Sequence, residues 1–151
     1  MIELYKAYVA DLGNIGSRYA TANSFYMTVV TALLGVLALA ESSKPFADMR
    51  VEIIVCVSIA GIILCWIWGK TIEFFGQLFA AKFQVVRWME NRLHLGYQPF
   101  VAERAVLDAM NVEWLLQNER RVPMLLAVLF GVLIVLAIGL KAAAAAKLIA
   151  I

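Results

Sequence analysis

Three stretches of the chain are apolar on every side of a helix. Residues 122–140 (VPMLLAVLFGVLIVLAIGL) hold no charged residue. Residues 23–40 hold none either, and residues 51–68 hold only Glu52. At a rise of about 1.5 Å per residue, each stretch spans roughly the 30 Å hydrocarbon core of a bilayer. A chain of 151 residues cannot hide three such helices in a soluble core. The pattern predicts a membrane protein with a first, second and third span over these ranges.

The N-terminal residues predict an amphipathic helix within residues 1–22. Apolar side chains recur there every three or four residues: Ile2, Tyr5, Val9 and Leu12. Such a helix lies on a membrane surface, and glycine commonly marks a helix end, so we expect it to stop near Gly13 and Gly16. The same segment has no basic, apolar and small-residue succession typical of a secretory signal, so we expect none.

The pattern after the second span predicts further helix. Residues 70–94 carry polar side chains on one side and apolar ones on the other, so the second span continues as one helix to about residue 94. Residues 95–121 predict a turn and two short helices, with Asn111 as the N-cap between them. Residues 141–151 predict a helical tail. The fold class is therefore all-α, with three transmembrane helices and a helical extension outside the membrane, in one membrane domain.

Composition supports the membrane class and narrows the partners. Hydrophobic residues make up 64% of the chain and charged residues 16%, which is more apolar than ordinary soluble domains. The net charge of +2 gives no basis for nucleic-acid binding. Cys56 and Cys65 both lie in the second span, where we expect packed thiols and no disulfide.

Basic residues predict the orientation. Residues 1–22 hold two and residues 70–121 hold seven, giving nine on one side of a three-span protein. Residues 41–50 and 141–151 hold two each, giving four on the other. Cytoplasmic loops are richer in Lys and Arg, so we expect the N-terminus and residues 70–121 in the cytoplasm and the C-terminus outside.

Small and hydroxyl-bearing residues form stripes on two of the predicted spans. The first span carries Ser24, Thr28, Thr31 and Gly35, and the second carries Ser58, Gly61 and Cys65. Each stripe has one of two meanings: the lining of a hydrated path, or a face where helices approach closely. Close packing is the ordinary role of such stripes in lipid. No span has an ionisable group at its middle, which argues against proton relays and coupled transport.

Two further sets of residues are candidates for roles in an assembly. Glu52 at the start of the second span could form part of an acidic ring at a pore mouth, or simply be a solvated helix start. The apolar side of the extension predicts an interface between copies through Phe75, Phe79, Phe83 and Val86.

Nothing in the sequence predicts catalysis. The single histidine, His94, has no neighbouring ligand at metal-binding spacing, and no catalytic triad or phosphate loop is present. We expect no enzyme activity, no metal and no cofactor.

Several strings of residues in a fixed order carry a family resemblance. They are Tyr5-Lys6-Ala7-Tyr8-Val9, Ala22-Asn23-Ser24-Phe25-Tyr26, Lys82-Phe83-Gln84-Val85-Val86, and Val122-Pro123. Over about residues 4–139 the chain resembles the RipA family of small bacterial octameric membrane proteins. The resemblance implies a homo-oligomer of eight subunits in the bacterial inner membrane, with a helical cytoplasmic part and no catalytic residues.

A weaker, purely architectural likeness is to the SLATT-type membrane effectors of bacterial defence, which are thought to form pores. Two hypotheses remain. The protein is a pore or channel gated through residues 70–121, or it is a non-conducting scaffold that organises a cytoplasmic protein partner or membrane lipid.

Overall fold

The computed structural model describes residues 2–42, 49–93, 98–109 and 113–149. These residues form four helices and no strand: α1 (Ile2–Ser42), α2 (Arg50–Leu93), α3 (Pro99–Ala109) and α4 (Glu113–Ile149). Three of the helices contain a segment long and apolar enough to cross a membrane, within Ile2–Ala40, Arg50–Leu93 and Asn118–Ala143. The prediction of an all-α fold with three membrane spans is confirmed.

Helix α1 does not stop where the two N-terminal glycines predicted an end. It runs without interruption through Gly13 and Gly16 into the first span. A glycine inside a helix costs only about 1 kcal/mol, which buried neighbours such as Leu12 and Ile15 offset by packing. The predicted surface helix is therefore the first half of a longer helix.

Helix α2 agrees with its prediction over its whole length. Its 44 residues join the second span to the amphipathic segment, and the helix ends at Leu93. His94 and residues 95–97 of the predicted turn lie outside the described residues.

The end of the chain differs from the prediction. The second short helix, the third span and the tail form the single helix α4, with Pro123 buried inside it. A third span beginning at residue 122 predicts Pro123 in the first turn of a helix, but Pro123 is the eleventh residue of α4. Its missing N–H leaves a carbonyl without the usual bond, which membrane helices tolerate. Asn111, the predicted N-cap, lies outside the described residues.

The chain divides into two compact units. The first, which we call the apolar unit, comprises Ser24–Gly69 and Val122–Ile151. One segment each of α1, α2 and α4 meets there around a core of Val30, Leu37, Cys65 and Phe130. This unit contains the three predicted spans apart from Asn23, the first residue of the first span.

The second, which we call the amphipathic unit, comprises Met1–Asn23 and Lys70–Arg121. Its buried residues include Leu12, Ile15, Val86 and Met89. Tyr5 donates a hydrogen bond to Glu90, and Asp11 forms an ion pair with Lys82. The segment before the first span thus packs directly on the segment between the second and third, and three spans would place both segments on the same side of a membrane.

Candidate functional site

The polar stripe of the first span points away from the protomer's own core. Ser24, Thr28, Thr31 and Gly35 are all exposed. At about 100° per residue they fall within an arc of roughly 60°, opposite the buried Val30 and Leu37. We call these four residues the outer face of α1. It is uncharged, and nothing in the protomer covers it among the residues that the structure describes.

The hydroxyl groups on the outer face are bonded within their own helix. The Thr28 Oγ1 donates to the Ser24 carbonyl oxygen at 2.9 Å, and the Thr31 Oγ1 donates to the Met27 carbonyl oxygen at 2.8 Å. Each donor is therefore satisfied even against lipid, while the oxygen lone pairs still point outward. Such a face permits close helix approach or weak contact with water.

The stripe of the second span has the opposite environment. Ser58, Gly61 and Cys65 are buried within the apolar unit. A Cβ built on Gly61 would lie only 2.6 Å from Cε2 of Phe130, so α2 and α4 touch through the missing side chain. These residues pack helices inside one protomer, and their burial leaves the outer face of α1 as the candidate lining.

Glu52 forms an ion pair with Lys141 inside the apolar unit. Both side chains keep exposed surface. Glu52 lies in the first turn of α2, and Lys141 lies in α4 just after the third span. A ring of subunits would therefore repeat ion pairs at this position, and a mouth lined by Glu52 would not be purely acidic.

The predicted interface between copies is largely used within the protomer. The Phe75 ring lies 5.4 Å from Tyr19 and the Phe79 ring lies 6.3 Å from Tyr19, centroid to centroid. Phe83 contacts Phe100 at 5.9 Å. Val86 has no exposed surface, so it cannot contact another copy as we predicted. The three rings keep part of their surface, and their role in assembly stays a prediction.

Glu90 is a fully buried carboxyl group that sequence reasoning missed. Its Oε1 accepts hydrogen bonds from the Tyr5 hydroxyl at 3.0 Å and from the Phe100 backbone N–H at 3.2 Å. Burial, then the bond to Glu90 and its charge, raise the pKa of Tyr5 above its usual value of 10.0. Phe100 is in the first turn of α3, and a carboxylate near that turn is also stabilised by the positive end of the helix dipole. The available signal was an acid among apolar helix neighbours, four residues after Val86 and three before Leu93.

Among the described residues of the amphipathic unit, two of the cavities between helices have aromatic and charged walls. The first, of about 300 Å³, lies between α1, α2 and α4. Its wall consists of Tyr19, Ile72, Glu73, Phe75, Gly76, Phe79, Glu119 and Arg120. We call it the aromatic cavity. Hydrogen bonding and charge from Lys70, with the charge of Arg120, hold the pKa of Glu73 below its usual value.

The second cavity, of about 230 Å³, lies between α2 and α3. Phe83 and Phe100 supply its apolar wall, and Arg87, Glu103 and Arg104 supply its charges. In the part of the chain that the structure describes, no group of three or more His, Cys, Asp or Glu side chains could hold a metal ion.

Residues 2–139 match the family model of the octameric membrane protein family, 8xMP. The chain belongs to this family. No curated protein and no solved structure matches it. The resemblance to small octameric membrane proteins is thereby confirmed, and the family's name agrees with a homo-oligomer built from this three-span protomer. In an 8xMP octamer, the outer face of α1 would be repeated eight times around the assembly.

Proposed function

We propose that this 8xMP protein forms a ring of eight subunits in a bacterial cytoplasmic membrane and that the ring is a pore. The outer face of α1 turns toward the ring axis, and the protein catalyses no reaction. One observation carries the proposal: of the three membrane segments, only α1 presents hydroxyl groups on its exposed side.

The exposed sides of the other two segments suit lipid. On α4 they consist of large apolar side chains, among them Leu125, Val128, Val132, Val135 and Leu136. On α2 they include Ile59, Ile63, Trp66 and Ile67. Exposed aliphatic groups are at no disadvantage in hydrocarbon, whereas hydroxyl groups and glycine are concentrated where membrane helices meet one another or water. A ring in which α1 faces the axis and α4 faces lipid puts the hydroxyl groups away from hydrocarbon and the aliphatic side chains in it.

The charge distribution supports the orientation of the ring. Nine basic residues in the amphipathic-unit segments against four on the other side favour a cytoplasmic amphipathic unit. That unit joins directly to all three spans through α1, α2 and α4. It is the natural part to gate the path, because a partner or ligand that binds there acts on helices continuous with the lining.

A non-conducting scaffold is the second candidate function. It is favoured by the two threonine hydroxyl groups, whose donors are already bonded to backbone carbonyl oxygens. A lining of this kind offers a passing ion few ligands, while it suits helix packing well. On this alternative, the ring organises membrane lipid or a cytoplasmic protein partner.

The decisive experiment compares two matched changes on α1. The double substitution Thr28→Leu and Thr31→Leu removes both hydroxyl groups from the outer face and should abolish ion flux through proteoliposomes while the particle keeps its mass. The control is Thr21→Leu, because Thr21 is exposed on the same side of α1 and makes the same kind of bond, to the Ser17 carbonyl oxygen. It lies before the apolar segment, so flux should stay near that of the wild type.

The two functions separate on the same measurements. Wild-type protein that passes no ions, combined with a smaller particle after the double substitution, would favour the scaffold, because bulk would then intrude between packed helices. Unchanged ion flux in the double variant would mean that the outer face of α1 does not line the ion path.

A further inference from the structure

The aromatic cavity combines three rings with charges of both signs. Tyr19, Phe75 and Phe79 form its apolar wall, with Tyr19 in contact with both phenylalanine rings. Rings arranged around an opening attract an ammonium group through their negative faces. A cavity of about 300 Å³ is at the small end of the range for ligand sites, enough for a compact polar group.

The wall of the cavity carries charged residues of both signs. Glu119 accepts a hydrogen bond from the Tyr19 hydroxyl, so a carboxylate lies at the edge of the rings. Glu73 lies 3.0 Å from Lys70 Nζ and 3.8 Å from Arg120 Nη2. The wall itself holds two carboxylates and one guanidinium, and Lys70 partly neutralises Glu73 from outside the wall. This arrangement complements a molecule that itself carries one cation and one anion.

The position of the cavity along the helices points to a membrane lipid. Tyr19 precedes the first apolar segment by four residues, and Arg120 precedes the third by two. At about 1.5 Å per residue these intervals correspond to roughly 3–6 Å of helix, comparable to the depth of the headgroup layer on each side of a bilayer. Tyr and Arg are also residues that favour this layer.

We propose that the aromatic cavity binds the headgroup of a zwitterionic aminophospholipid such as phosphatidylethanolamine. The ammonium group lies against Tyr19, Phe75 and Phe79 and pairs with the Glu119 carboxylate. The phosphate pairs with the guanidinium of Arg120, which lies at the long distance of 3.8 Å from Glu73 and has a side chain that is 64% exposed. The site is independent of conduction, and a scaffold would bind the lipid equally well.

The charge balance predicts selectivity between lipids. An anionic headgroup such as that of phosphatidylglycerol has no ammonium group for the rings and meets two carboxylates at the rim. The site should therefore prefer phosphatidylethanolamine, although simple attraction to a basic protein surface would favour the anionic lipid.

The test uses the intact assembly in nanodiscs that contain equal amounts of phosphatidylethanolamine and phosphatidylglycerol. Lipids that stay bound after transfer to detergent are counted by native mass spectrometry. We expect the wild type to retain phosphatidylethanolamine preferentially. Glu119→Gln should reduce that preference about tenfold, the effect of losing one charged partner. Phe75→Leu, which removes a ring at similar volume, should reduce it as well.

The matched control is Glu103→Gln, which removes an exposed carboxylate of the same unit outside this cavity and should leave the preference unchanged. Equal retention of both lipids by the wild type, or equal behaviour of Glu119→Gln and Glu103→Gln, would overturn the proposal. Free phosphoethanolamine is titrated in parallel. If it binds as tightly as the lipid, the claim that the ligand is a membrane lipid is wrong. Particle mass and circular dichroism of each variant establish that it is folded.

Discussion

At the scale of single residues, the absence of a side chain at Gly61 lets the Phe130 ring of α4 lie directly against α2. The ring has no exposed surface, and its Cε2, Cζ and Cδ2 atoms all lie within 3 Å of where a Cβ on Gly61 would be. Glycine is required here for space, since α2 could not otherwise approach α4 at this point. Small residues serve the same purpose at many membrane helix contacts.

Replacing Gly61 by alanine should therefore destabilise the protomer. Overpacking of this kind costs about 1–3 kcal/mol, and we expect a lower midpoint of thermal unfolding in detergent, followed by circular dichroism. Gly69→Ala is the control on the same helix, because no described atom lies within 4 Å of the added Cβ. Equal midpoints for the two variants would mean that Phe130 moves aside without cost.

The burial of Glu90 could not be predicted from the residues next to it in the sequence. A carboxylate in an amphipathic helix is ordinarily solvated, and its sequence neighbours do not reveal what packs above it. Its burial depends on Tyr5, 85 residues earlier, and on the backbone of Phe100. Only the folded amphipathic unit brings these groups together, so the sequence could not have predicted their hydrogen bonds.

At the scale of helices, the sequence predicted where the chain is helical better than where helices end. Hydrophobic periodicity and length determined α2 almost to the residue. Gly13, Gly16 and Pro123 predicted ends that do not exist, because local propensities of about 1–3 kcal/mol are outweighed by tertiary packing. The direction of the α1 stripe was also not predictable, since a stripe looks the same whether it faces the protomer or a neighbour.

The proposed orientation of helices can be measured with spin labels. Labels are attached to cysteines at Thr28 and Val128, which lie at similar depths in the first and third spans and are both exposed in the protomer. The background is a Cys56→Ala, Cys65→Ala protein. A label at Thr28 should collide more with a water-soluble nickel complex and one at Val128 more with oxygen, which concentrates in lipid.

The label at Val128 acts as the internal reference for lipid contact. If the label at Thr28 has the same high oxygen and low nickel accessibility, the outer face of α1 faces lipid and the pore proposal fails. If neither reagent reaches it, the face is buried between subunits, as the scaffold requires.

At the scale of the whole molecule, the units follow the predicted segmentation closely. The chain passes between units after Asn23, Gly69 and Arg121, next to the predicted span limits at residues 23, 68 and 122. The span limits themselves stay predictions from apolar length, because hydrocarbon thickness fixes how many residues a span needs. The two cavities were not predictable, since each draws its wall from helices distant in sequence.

The orientation of the whole molecule can be tested by thiol labelling in intact cells. In the same cysteine-free background, single cysteines at Met49 and Ala146 should react with a membrane-impermeant reagent, and one at Glu103 should not. All three positions are exposed in the structure, so differences report the side of the membrane. Labelling at Glu103 without labelling at Met49 would reverse the orientation.

The backbone-bonded hydroxyl groups of α1 bear on how such a ring is made. In a newly inserted protomer, the hydroxyl groups of Thr28 and Thr31 already donate to backbone carbonyl oxygens and face acyl chains without an unsatisfied donor. Such a protomer can diffuse in the bilayer before it meets other copies. Assembly by lateral collision of finished protomers would then expose neither of these two hydroxyl donors unbonded to lipid. A ring built this way grows at a rate that depends on the surface density of protein in the membrane.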